Sequence, residues 1–163
     1  LNKKIEFIFR DDQGKPGEAV KIAEELMTRD GAVMITGTIL SHVGLAISSL
    51  AGEKGYVYLA SEPLADSIVW AKGNKYTYRL RTSTFMQAAM LAEEAAKTDA
   101  KQFATIAPNY AYGKDAVAAF KQNLLKLKPD AEFVAEQWPA LFNLMLALRC
   151  RPSKGPNQTP FIM

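Results

Sequence analysis

The chain has little sulfur, one imidazole and no excess charge over most of its length, and each shortage removes a class of function. A single cysteine, Cys150, rules out a disulfide framework or a thiolate metal cluster. A single histidine, His42, leaves carboxylates as the plentiful metal ligands, so no metal site is expected. No run of about 18 apolar residues exists, the length a membrane-spanning helix needs. The start at Leu1 shows no basic, apolar, small-residue leader, so a signal peptide is expected to have been removed or not included. The patterns GxGxxG, GxxxxGK[ST], HExxH, paired CxxC and GxSxG are all missing. Excess charge is missing too. The formal net charge of +3 comes from Arg149, Arg151 and Lys154 in an acid-free tail, while residues 1–142 hold 17 basic and 17 acidic groups. Without a basic face, nucleic acid is not an expected partner.

What is present is the composition expected of a soluble globular protein, 48% hydrophobic and 23% charged over 163 residues. The organising stretch is Ala32 to Leu50. Ala32 to Thr36 has strand length, Gly37 permits a tight turn, and a helical pattern follows in which Ser41 stands where an N-cap would be. Ser41 is therefore either that cap or a ligand contact. In parallel sheets the carboxyl ends of strands carry ligands, and a helix N-terminus favours an anion such as a carboxylate.

In chain order the patterns predict a strand at Ile5 to Phe9, then a turn at Asp11 to Gly17 and a helix with Ala19, Ile22, Ala23, Leu26 and Met27 on one face. After the central strand and helix come strands at Tyr56 to Ala60 and Tyr76 to Leu80, and an Ala-rich helix over Thr84 to Thr98. A strand at Phe103 to Ala107, a helix at Lys114 to Lys128 and a strand at Glu132 to Glu136 complete the series. The alternation implies parallel strands joined by right-handed crossovers. Asp11 and Asp12 read as turn formers, since adjacent side chains after a strand point apart. Tyr110 and Tyr112 precede Gly113 and a helix, repeating the topology at Gly37; they are either surface aromatics or ligand contacts. His42 has no identifiable triad partner, so no catalytic residue is expected.

Four blocks, RDDQGKPGEAVKIAEELMTRDGAVMITGTILSHVGLA, YLASEPLADSIV, YTYRLRTSTFMQAAMLAE and FATIAPNYAYGKDAVAAFKQ, resemble in unbroken order the type I periplasmic solute-binding proteins of the leucine/isoleucine/valine-binding family. The resemblance covers roughly Ile5 to Phe142. It implies a partial, truncated version of a fold with two Rossmann-like lobes, without the family's first strand and most of its second half. Residues 1–83 would be part of lobe one and 84–142 part of lobe two. It also implies a non-enzymatic, periplasmic component of an ABC importer that binds a branched-chain amino acid or related small carboxylate or amide between its lobes, with no cofactor and an inner-membrane permease as partner. A ligand-sensing regulatory or receptor domain on the same fold is the alternative. The resemblance assigns carboxylate grip to Ser41 and the amide of His42, and pocket lining to Ser61, Glu62, Pro63 and Leu64. Tyr112 would close over the ligand, and Phe85 with Glu62 would tune its class. Where the family often has Ser-Pro-x-Ala-Thr, this chain has Ser61-Glu62-Pro63-Leu64, so the ligand class is open.

After Phe142 both the α/β rhythm and the resemblance end. Residues 143–163 contain three prolines and no acid. Back-translated and read from the third base of the Asn143 codon, they can encode DAGATVQALQRAQPDAIYN, an amphipathic helix followed by a strand. Residues 143–163 are therefore expected to be a frameshifted tail with no evolved packing. Reading the coding DNA across codons 135 to 165 tests this: the expected outcome is that frame, open and uninterrupted, and its absence makes the tail genuine.

Overall fold

The computed structural model describes residues 4–141 and the backbone of residues 161 and 162. Among the described residues, four α-helices and a short 3-10 turn at Asp66–Ile68 are interspersed with parallel strands: α1 (Pro16–Thr28), β1 (Met34–Gly37), α2 (Ser41–Lys54), β2 (Val57–Ala60), β3 (Thr77–Arg79), α3 (Thr84–Ala96), β4 (Gln102–Ile106), α4 (Ala111–Leu127), β5 (Glu132–Gln137) and β6 (Phe161–Ile162). The strands form two sheets, ordered β1-β2-β3 and β5-β4-β6, and all pairings are parallel. This is the expected α/β class, with helices serving as crossovers because parallel neighbours cannot be joined by a tight turn.

The chain divides into two compact units, Leu1–Pro63 with Ser67–Arg81, and Leu64–Asp66 with Thr82–Met163. In unit 1, Ala19 and Ala23 of α1 and Val43, Ile47, Leu50 and Ala51 of α2 are buried, together with Tyr58 and Ala60 of β2. A buried polar link ties α2 to β3: the Ser48 and Thr77 hydroxyls lie 2.9 Å apart, and Asn74 donates to the Ser48 carbonyl at 2.9 Å. α2 ends at Gly55, whose φ of 70° is a left-handed helix stop that an L side chain rarely adopts.

In unit 2, Ala88, Ala92 and Ala95 of α3 meet Phe103 of β4 and Phe120 and Leu124 of α4. Small residues on α3 let the two helices approach closely, and Phe133 sets its ring edge-on to Phe120 at 6.2 Å.

Two expectations need revision. Ile5 to Phe9 is not a strand, because no ladder partner among the described residues engages it and a strand is defined by its pairing. The predicted α4 start at Lys114 is three residues late, since Ala111 to Gly113 already form its first turn. The expected aberrant tail lies almost wholly outside the described residues. Only Phe161–Ile162 is placed, parallel to Phe103 and Ala104 of β4.

Unit 2 is held at the start of α3 by two caps. Ser83 accepts the Met86 amide at 3.2 Å, and the Asp66 carboxylate accepts the Phe85 amide at 2.9 Å and the Thr84 hydroxyl. A carboxylate at a helix N-terminus satisfies orphan amides and complements the dipole. Asp66→Ala is therefore expected to lower stability by about 2 kcal/mol and Ser83→Ala by about 1 kcal/mol, read as urea unfolding midpoints. Equal midpoints for both variants and the parent would disprove this role.

Candidate functional site

In unit 1 the carboxyl ends of β1 and β2 carry two loops. The first, after β1, is sharply turned: Gly37 has φ 115° and Thr38 φ 60°. A glycine accepts such values freely, whereas a threonine adopts them only when held. The hold is Tyr58, fully buried under the loop, whose hydroxyl lies 2.7 Å from the Thr38 hydroxyl and donates to the Gly37 carbonyl at 3.3 Å. Burial pushes the Tyr58 phenol up to about 12, the Thr38 hydrogen bond offsetting part of that rise.

This loop delivers the chain into α2. Ser41 is not its N-cap: Leu40, with extended φ and ψ, takes that place, and Ser41 is the first helical residue, 1% exposed. The strained turn at residues 37 and 38 moves the helix start one residue ahead of the hydroxyl, a shift the residue pattern did not reveal. No side chain caps α2 and its first turn holds no acid. His42 follows half-buried.

The second loop, after β2, holds half-buried Ser61, exposed Glu62 and buried Pro63. It packs against the first turns of α2 through Gly44: a Cβ there would stand 2.8 Å from Pro63 Cγ. Ser41 and Ser61 to Pro63 are thereby gathered at one end of the sheet. Glu62 is ion-paired with Arg81, a partner the sequence reading missed because nineteen residues separate them. Both side chains are about half exposed, so the pair's stability contribution is small. Leu64, next in sequence, belongs to unit 2, where its carbonyl accepts the Thr84 amide at 3.0 Å.

Unit 2 repeats the arrangement. The loop after β4 is fixed to the end of β5 by the Ala107 amide donating to Gln137 and the Asn109 amide to Pro139. α4 then starts with Tyr110 as N-cap, no capping side chain and no acid in its first turn. Gly113 permits this close turn, since a Cβ would lie 2.1 Å from the Pro108 carbonyl oxygen. Tyr110 and half-buried Tyr112 face each other with ring centres 6.0 Å apart. Burial, with Tyr112 as a lesser cause, raises the Tyr110 phenol. Sequence reading missed Trp138, just past β5, over which Lys114 sits with Nζ 3.3 Å from the ring centre. Phe85 is half-buried against the α3, β4 and α4 core. Among the described residues, no three His, Cys, Asp or Glu side chains cluster as metal ligands, and no helix is long and apolar enough to cross a membrane.

At these strand-end loops, α2 and α4 begin without a side-chain cap or a first-turn acid. Residues 1–141 match the model of the periplasmic binding protein family. The chain belongs to that family, whose members are non-enzymatic solute-binding proteins. No curated protein matches it. Among solved structures it is similar to a Rhodopseudomonas palustris BisB5 ABC-transporter solute-binding protein in complex with 3,4-dihydroxybenzoic acid. That match has 28% identity and a TM-score of 0.78, and covers 90% of this chain and 40% of the other. An ABC-type branched-chain amino acid transporter from R. palustris CGA009 shows 32% identity and a TM-score of 0.60 over 82% of this chain and 35% of its own. A Pseudomonas fluorescens Pf-5 amino acid ABC transporter substrate-binding protein shows 27% identity and a TM-score of 0.65, over 87% and 39%. The chain thus spans about 40% of the length of such proteins.

Tyr58 sets a pH signature for unit 1. Its phenol is neutral in folded and unfolded chains below pH 10.0, and between there and about 12 only the unfolded chain ionises it. Stability is therefore expected to fall as pH rises through this window, and Tyr58→Phe to remove that part of the fall in unfolding titrations. An identical alkaline slope in both proteins would show that Tyr58 does not carry it.

Proposed function

We propose that this chain is part of the solute-binding component of a periplasmic ABC importer that hands a small carboxylate to an inner-membrane permease. The observation carrying the ligand chemistry is the contrast between helix starts. α3 is capped by Ser83 and Asp66, whereas α2 and α4, which begin at the carboxyl ends of β1 and β4, have no side-chain cap and no acid. The dipole of a helix start favours an anion.

In this reading unit 1 grips the carboxylate with Ser41 and the His42 amide, and Ser61, Glu62 and Pro63 line the pocket with Leu64. Unit 2 supplies Tyr112 to close over the ligand, with Phe85 tuning its class. Closure needs contacts that only the closed state makes, because a ligand with equal affinity for both states shifts nothing. A branched-chain amino acid or a related small acid or amide is the proposed ligand class. One similar structure is in complex with 3,4-dihydroxybenzoic acid and another is named a branched-chain amino acid transporter, and both kinds of molecule carry a carboxylate.

Calorimetric titration with leucine, valine, benzoate and 3,4-dihydroxybenzoate tests the proposal. The chain as it stands is expected to bind weakly or not at all, and the frame-restored full-length protein to bind one of the four with micromolar affinity. Ser41→Ala is expected to weaken that binding by about tenfold, roughly 1.4 kcal/mol. Unchanged affinity in Ser41→Ala removes Ser41 from the site, and tight binding by the present chain overturns the expectation for the fragment.

A further inference from the structure

The carboxyl ends of β4 and β5 lie side by side, since the two strands pair in parallel up to Ile106 and Gln137. Three aromatic rings and one ammonium gather there: Tyr110 and Tyr112 at the head of α4, Trp138 just past β5, and Lys114 in the first turn of α4. Tyr110 and Tyr112 face each other with ring centres 6.0 Å apart, and the Lys114 Nζ lies 3.3 Å from the centre of the Trp138 ring. The backbone on both sides of Trp138 is fixed, the Ala107 amide donating to the Gln137 carbonyl at 3.1 Å and the Asn109 amide to the Pro139 carbonyl at 2.8 Å. The indole is fixed as well, its Nε1 donating to Glu136 Oε1 at 2.9 Å. The other oxygen of Glu136 takes Lys121, and that bond, with the indole's, holds the Glu136 carboxyl below its usual range.

The demands of folding do not account for this arrangement. The core of unit 2 is built on Phe103, Phe120 and Leu124 with the alanines of α3, and none of the three rings is among the residues packed on it. Tyr110, Tyr112 and Trp138 are half-buried and Lys114 is exposed, so a cation over a ring adds little to stability here. Among the described residues Lys114 makes no ion pair, because Glu136 is engaged by Lys121 and the indole. Asp115 follows Lys114 in sequence but lies about 100° further round the helix. The result is a rigid aromatic surface that carries an ammonium. An ammonium has three donors and no acceptor, so it selects an oxygen acceptor, above all a charged one. Aromatic faces and edges pair with other aromatic rings in defined geometries that an aliphatic chain cannot reproduce.

We infer that Tyr110, Tyr112, Trp138 and Lys114 select the ligand class: they receive an aromatic carboxylate whose ring bears a second oxygen substituent, a hydroxyl or another carboxylate, and Lys114 takes that substituent. The inference rests on the reading in which unit 1 grips the carboxylate, since that leaves the ring and its far substituent to unit 2. Lys114 and Trp138 thereby become specificity residues, and Glu136 a positioning residue that aims the indole. A branched-chain amino acid suits this surface poorly. Its ammonium and carboxylate stem from one carbon, so a grip on the carboxylate keeps both charges together and turns an aliphatic end toward Lys114. Desolvating an ammonium against an aliphatic group that cannot accept its hydrogens is unfavourable.

The test uses the full 163-residue chain and follows two NMR signals. One is the Trp138 indole, distinguished from that of Trp70 by Trp70→Phe, and the other is the His42 backbone amide in unit 1. Benzene-1,4-dicarboxylate and 4-hydroxybenzoate are expected to shift the Trp138 signal saturably in the millimolar range, the tighter of the two identifying the substituent. Leucine and cyclohexanecarboxylate are expected to leave it in place. Benzoate is expected to bind about fivefold more weakly than the dicarboxylate, with Lys114→Met erasing that difference and Lys114→Arg keeping it. A preference for the dicarboxylate that survives in Lys114→Met would give Lys114 a merely structural role and overturn the proposal. So would a shift of Trp138 by leucine equal to that by the dicarboxylate. The two readings fail separately. If His42 responds to the aromatic acids while Trp138 stays still, the carboxylate grip stands and the specificity surface is wrong. If Trp138 responds while His42 stays still, the surface stands and the grip is wrong, and silence of both signals overturns both.

Discussion

Parallel strand pairing is the constraint on which the rest of unit 1 depends. β1, β2 and β3 run the same way, so each must be joined to the next by a crossover, and all their carboxyl ends fall at one edge. Two consequences follow from that geometry alone. The loops after β1 and β2 are brought side by side, Gly44 letting α2 rest on Pro63. And among the described residues β1 is an edge strand, paired with β2 alone.

The chain spends its polar side chains unevenly at helix starts, and the unevenness has a physical meaning. At α3, Ser83 and Asp66 take up the amides of the first turn, so that end is a structural joint. At α2 and α4 the equivalent places hold Leu40 and Tyr110, which cap nothing with their side chains. Leaving a helix start without a polar cap costs on the order of 1 kcal/mol. α1 too begins without a side-chain cap, at Lys15, but it carries Glu18 in its first turn, an acid that complements the dipole and that α2 and α4 lack.

Strain is distributed in the same way. Thr38, a branched residue in left-handed conformation, is held by a buried phenol, and the loop it stiffens leads into Ser41. In unit 2, close contact of Gly113 with Pro108 does the corresponding work of placing Tyr110 and Tyr112 at the head of α4. Preorganised loops reduce the ordering entropy that a ligand must otherwise overcome.

The sequence by itself determined the α/β class, the order of helices and strands, the turn at Gly37 and the charge balance over residues 1–142. It did so because periodicity, glycine and proline act over a few residues. It also singled out Ser41, Ser61 and Tyr112 as residues at strand carboxyl ends or on the loops and helix starts beside them, although their role as ligand contacts came from a family resemblance. Tertiary structure alone decided the rest, because pairing joins residues far apart in the chain. Ile5 to Phe9 has every local mark of a strand, yet it is not one, because among the described residues no neighbour pairs with it. Only folding sets Arg81 against Glu62, Asp66 against α3 and Tyr58 beneath Thr38. Burial and ladder partners are properties of the assembled sheet, and no window of sequence contains them.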